Sequence, residues 1–99
     1  MMNEPKMICC VCGFQQAEGV FSSRIAPVSC AYCKSCSEKG AEPYDVLVTR
    51  VAHLMLLQPG YELSPRLEHV KQVTLEISGI TEEKFLKDVE IRRTDLSGN

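Results

Sequence analysis

The sequence has no tryptophan and only six aromatic residues, three Phe and three Tyr. In a chain of 99 residues few large side chains are left to fill a core. A chain this short buries only about 60–65% of the surface it exposes when unfolded, so its core needs an additional staple. Long apolar runs are missing as well. None approaches the roughly 20 residues of a membrane-spanning helix, which excludes a transmembrane role. The opening Met1-Met2-Asn3-Glu4-Pro5-Lys6 lacks the apolar stretch and small-residue cleavage site of a secretory signal. The expected location is therefore a reducing cytoplasm, where paired cysteines bind metal more often than they form disulfides.

Basic runs are absent beyond Arg92-Arg93. Residues 1–50 hold five basic and five acidic side chains, and residues 51–99 hold six against eight, which accounts for the net charge of −2. Non-specific nucleic-acid binding draws on several phosphate contacts, and no stripe of cations supplies them. The expected partner is a protein, with a basic surface complementary to the acids Glu62, Glu68, Glu76, Glu82, Glu83, Asp88 and Glu90 of the second half. A nucleic-acid-binding finger is the alternative, with Arg24, Lys34, Lys39 and Arg50 as its phosphate contacts. The sequence also has no Ser/His/Asp set and no phosphate-cradling glycine loop. Neither an enzyme nor a small-molecule substrate is expected. His53 and His69 stand 16 residues apart on expected helices and read as structural or surface residues. Met55 reads as core filler, and Tyr32 and Tyr44 as packing residues.

No Gly/Ser tract or charge block divides the chain. It reads as one domain over residues 1–99, with a cysteine-rich finger at 9–40, a helical region at 43–91 packed on it, and a frayed tail at 92–99. In the finger, Cys9 to Gly13 reads as a tight knuckle. Val20 to Ile25 and Val28 to Tyr32 read as the two strands of a hairpin, and Lys34 to Lys39 as a short helix ending at Gly40. A first long helix is expected from Pro43 to Leu57, with Leu47 and Val51 inaccessible and with Val46 and Leu57 adding apolar surface on a further side. Ser64-Pro65 starts the next helix. Val73-Thr74-Leu75-Glu76-Ile77 also alternates like a strand, but Leu67 and Val70 extend the helical spacing backwards and Ser78-Gly79 offers a helix end. Helix is the expectation there. Thr81 caps a last helix, with Ile80 and Phe85 placed as a hydrophobic staple, Glu82-Glu83 in its first turn, and Leu86 and Val89 on its apolar side.

What the sequence has in quantity is cysteine. Six stand at positions 9, 10, 12, 30, 33 and 36. The gaps 9/12, 30/33 and 33/36 each let a turn aim two sulfurs at one ion, and two pairs complete the Cys₄ site of structural zinc. Soft thiolates select zinc or an iron–sulfur cluster over calcium or magnesium. The first pair leaves 20 residues before Cys33/Cys36 and 17 before Cys30/Cys33, and both separations suit zinc. The glycine after Cys12 favours a knuckle at Cys9/Cys12. The helix start at Cys33/Cys36 brings backbone N–H groups to the sulfurs. The expected ligands of one zinc per chain are Cys9, Cys12, Cys33 and Cys36, with Cys30 the alternative fourth ligand and Cys10 a bystander. A disulfide framework or a redox C-x-x-C are the competing readings of the same cysteines.

The order of C-x-x-C-G knuckle, hairpin and helix carrying the second C-x-x-C pair resembles a treble-clef zinc finger. The expected fold class is thus a small zinc-stapled α+β domain, with a treble-clef-like knuckle and hairpin followed by a mainly helical half. The stretch Tyr32-Cys33-Lys34-Ser35-Cys36 with Lys39-Gly40-Ala41-Glu42-Pro43-Tyr44 is similar to small zinc-finger proteins encoded by bacteriophages and prophages. So is the Gly-Ile-Thr-Glu-Glu stretch from Gly79 to Glu83. That resemblance, over residues 9–90, implies a phage origin, a host cytoplasm as location, and a role as an inhibitor or modulator of host machinery, such as an anti-CRISPR protein.

Overall fold

The computed structural model describes residues 7–98. The leader reading and residue 99 of the expected tail lie outside them. The fold is a small α+β arrangement. An antiparallel hairpin of β1 (Gly19–Ser22) and β2 (Ser29–Tyr32) is followed by a short helix α1 (Lys34–Lys39) and three longer ones, α2 (Tyr44–Leu57), α3 (Pro65–Ser78) and α4 (Glu82–Leu96). In register, Gly19 faces Tyr32, Phe21 faces Cys30, and Ser22 faces Ser29. Both strands are shorter than the apolar patterns suggested, because the chain leaves the ladder at Ser23 to make the loop that carries Ile25 to the helices. No helix among the described residues is long and apolar enough to cross a membrane.

Local signals explain the helix ends. Ser64 Oγ accepts from the Leu67 N–H at 3.2 Å with Pro65 in the first turn, and Thr81 Oγ1 accepts from the Lys84 N–H at 3.1 Å. Residues 73–77 are helical: Thr74 and Leu75 are buried there, one turn after Val70, which the helical period satisfies and strand alternation would not. Ile80 packs against the helical core that contains Phe85, the side on which a staple places both.

Two apolar clusters result. The helical core gathers Leu47, Val48, Val51 and Ala52 of α2, Leu67, Val70 and Leu75 of α3, and Phe85 and Val89 of α4. Leu47 and Val51 are fully inaccessible. The finger core gathers Cys9, Val11, Tyr32, Cys33, Cys36 and Ala41. It is α3 that serves both, since Val73 and Ile77 pack against the finger core while its other face fills the helical one. The expectation that Val46 and Leu57 give α2 a further apolar, buried side is corrected. Leu57 is 69% exposed and Val46 only half-buried, because α3 and α4 cover a single side of α2. Leu86, expected beside Val89, faces solvent as well.

The tail also differs from expectation. α4 runs on to Leu96 rather than fraying at residue 92, because Arg92 reaches back to α2. Its guanidinium donates to Asp45 Oδ1 at 2.8 Å and to Thr49 Oγ1. Lys71 on α3 is buried between Glu68 (2.8 Å) and Glu82 (2.5 Å), tying α3 to the start of α4. Tyr44 lies edge-on to Phe85 and donates its phenol to Asp88 at 2.5 Å.

One carboxylate joins the finger to the helices. Glu42, 1% exposed, accepts from the Tyr32 hydroxyl on β2 at 2.7 Å, from Ser23 Oγ at 2.7 Å and from the Arg24 N–H at 3.3 Å. Its own N–H donates to Thr74 Oγ1 on α3 at 3.1 Å. The sequence presents Glu42 only as an acid ahead of a helix; its burial follows from the hydroxyls that β2 and the hairpin loop bring to it. Glu42→Ala strands those donors in a dry site and is expected to cost about 2–4 kcal/mol in denaturant unfolding. Glu42→Gln, which keeps an acceptor oxygen, should cost less. A cost of Glu42→Ala under about 0.5 kcal/mol, the range of surface substitutions, would contradict this role.

Candidate metal centre

The knuckle is built by its backbone. Residues 7–17 fold back on themselves through an isolated bridge between Ile8 and Gln16 and through the Cys9 N–H donating to the Gln15 carbonyl at 2.8 Å. The turn closes where the Gly13 N–H donates to the Cys9 carbonyl at 3.0 Å. Gly13 has φ +78° with open space around it, so backbone conformation alone calls for glycine here. The Cys10 N–H donates to the Ala31 carbonyl at 2.8 Å, which fixes the knuckle against β2.

The second pair rides on α1. Cys33 is its N-cap, and the Cys33 sulfur accepts from the Cys36 N–H at 3.4 Å. The Cys9 sulfur accepts from the Val11 N–H at the same distance. Each pair therefore has its leading sulfur polarised by a backbone donor, which stabilises the thiolate form.

These elements bring together Cys9, Cys12, Cys33 and Cys36, whose sulfurs all lie within 4.8 Å of one another. Zn–S bonds of about 2.3 Å place tetrahedral sulfurs about 3.8 Å apart, so the cage suits one such ion after small side-chain adjustments. Cys9, Cys33 and Cys36 are buried and Cys12 is half-buried. The cluster can hold one metal ion. Cys30, the alternative ligand, lies instead on β2 opposite Phe21 and packs at the edge of the finger core. Cys10 is exposed, and none of the six cysteines is disulfide-linked. His53 and His69 are both exposed, on α2 and α3, and take no part in the cluster.

The electrostatics of the cage follow from its crowding. Burial pushes the Cys9 thiol up, but backbone donors at Cys12, Cys33 and Val11 outweigh it and hold the group at about 7. Burial pushes Cys36 far above the ordinary thiol value, reinforced by its hydrogen bonds to Cys33 and Cys9 and by repulsion from Cys9 and Cys12. One sulfur thus ionises readily and another resists. A divalent cation among the sulfurs eases that conflict by attracting all four thiolates and offsetting half of their charge. Tyr32, which closes the finger core beneath the site, is also raised, by burial first and then by its bond to Glu42.

No protein-family model, no curated protein and no solved structure matches the chain. The expected likeness to phage-encoded zinc fingers gains no support from them, whereas the four-cysteine site beside the hairpin stands on its own geometry.

Cys12→Ala removes one corner of the cage. It is expected to abolish metal retention and cooperative unfolding of the finger, since structural zinc sites contribute about 10 kcal/mol or more. Cys10→Ala and Cys30→Ala should keep bound metal. Metal analysis together with thermal unfolding of the three variants checks this, and equal losses from Cys10→Ala and Cys12→Ala would refute the ligand set.

Proposed function

We propose that the chain is a zinc-stabilised binding module that acts by contact with another protein and without turnover. The observation that carries this reading is the thiolate cage itself. Four sulfur donors occupy every position a tetrahedral ion offers. An ion held so is closed to substrate and contributes folding energy in place of chemistry. Zinc is the proposed occupant, one per chain. A multi-iron cluster interposes several atoms between its thiolates and needs a wider cage than one whose sulfurs all lie within 4.8 Å. Six unlinked cysteines suit a reducing compartment, and the cytoplasm is the proposed location.

The partner is proposed to be a protein. An inhibitor of host machinery, as the phage resemblance implies, is one form such contact takes, and that form rests on the resemblance alone. The acids named for steering a basic partner are largely engaged within the chain: Glu68 and Glu82 hold Lys71, Asp88 holds Lys84, and Glu90 holds Arg93. Glu62, Glu76 and Glu83 make no ion pair among the described residues and are the acids through which such steering would act.

A mobility-shift titration of the zinc-loaded chain against non-specific duplex DNA tests the reading. No retardation is expected even at low salt. Retardation whose affinity falls steeply with salt is the signature of phosphate contacts, and it would replace protein contact by nucleic-acid binding.

A further inference from the structure

Of the ten Lys and Arg side chains among the described residues, four are ion-paired and six are not. Lys71, Lys84, Arg92 and Arg93 are all ion-paired. Arg24, Lys39, Arg50 and Arg66 make no ion pair among the described residues, yet these residues from the hairpin loop, α1, α2 and α3 meet along one seam of the surface. Arg24, Arg50 and Arg66 surround a hollow of about 220 Å³ whose remaining lining includes Ile25, Leu54, Leu67 and Tyr61.

That hollow shares walls with two others. Arg50 also borders a depression of about 260 Å³, lined by Pro27, Val28, Val46, Thr49 and His53. Arg24 and Arg66 also border one of about 470 Å³, where Lys39, His69 and Glu38 join them. The three hollows therefore adjoin at shared arginines, as one grooved seam with an apolar end and a cationic remainder. Its carboxylates are Glu38 and Asp45, and Asp45 is already bound to Arg92. Positive charge is thus left uncompensated on a chain whose net charge is −2.

Convergent guanidinium groups recognise carboxylate or phosphate oxygens. Two features favour carboxylates on a protein. The apolar end offers Pro27, Val28 and Val46 with His53 as its one aromatic ring, a lining that seats an aliphatic side chain better than a run of stacked bases, which draws on successive aromatic platforms. The net negative charge of the whole chain repels a polyphosphate more than a short segment bearing a few acids. We propose that this groove is the docking site for an extended acidic segment of a partner protein. Its Asp or Glu side chains pair with Arg24, Arg50 and Arg66, and a neighbouring aliphatic side chain enters the hollow beside Val28 and Val46. The proposal deepens the protein-contact reading and rests on it.

Fluorescence anisotropy on the zinc-loaded full chain tests it with three labelled probes: a short peptide of Glu residues around a central Leu, its counterpart with Lys in place of Glu, and an oligodeoxythymidine of similar length. The acidic peptide should bind and the basic one should not. Arg24→Glu combined with Arg66→Glu, both on exposed side chains, should weaken the acidic peptide roughly tenfold or more. These changes should leave metal content and unfolding temperature unaltered. Lys87→Glu, an unpaired cation away from the groove, should change nothing. Absent binding of the acidic peptide, equal binding of the basic one, or indifference to the double charge reversal overturns the groove and leaves the protein-contact reading standing. Tighter binding of the oligonucleotide, lost in the same double variant, overturns both.

Discussion

Four cysteine sulfurs held within 4.8 Å of one another cannot all carry charge unless a cation lies among them. The rest of the finger depends on that constraint. Its two strands have four residues each, and an isolated two-stranded hairpin is marginal in water. Its core consists largely of the cysteines themselves, with Val11, Tyr32 and Ala41 around them. Without an ion, Cys36 resists ionisation while Cys9 favours it, and the cage is a cluster of thiols with little apolar area to hold it shut. With an ion, knuckle, hairpin and α1 become one rigid piece.

Rigidity alone does not connect that piece to the helices. Two devices do. Glu42 gathers donors from β2 and the hairpin loop while its backbone reaches Thr74 on α3. α3 also turns Val73 and Ile77 toward the finger core. The arginine-lined groove lies along this junction, bordered by the hairpin loop on one side and by α2 and α3 on the other. Metal binding would therefore be felt at the proposed docking surface, because the loop bearing Arg24 is attached to Glu42 at its own backbone N–H.

The cysteine pairs were legible because a knuckle is a local object. Spacing, the following glycine and the helix start at Cys33 are all written within a few residues, and the four sulfurs meet as that spacing implies. Helix caps at Ser64 and Thr81 were legible for the same reason. What was not legible depends on contacts between distant segments. Glu42 looks like any acid before a helix until Tyr32 and Ser23 are seen to point at it. Lys71 looks like a solvated lysine until Glu82 arrives from α4. The polar tail after Arg92 gives no periodic signal, and the pairing of Arg92 with Asp45, 47 positions earlier, ties α4 to α2 through a contact that no local pattern announces. The unpaired arginines were visible as residues, but their convergence was not, since Arg24, Arg50 and Arg66 come from three different elements.

The proposed zinc ion is the condition for an ordered finger. The most direct measurement is the amide NMR spectrum of the reduced full chain, recorded before and after removal of its metal and again after returning one equivalent of zinc. The signals of Val11, Cys36, Ala41 and Glu42 should collapse toward random-coil positions on removal and recover on addition, because folding and metal binding are one equilibrium at such sites. A reduced, metal-free chain whose finger amides stay dispersed and unmoved would contradict the account.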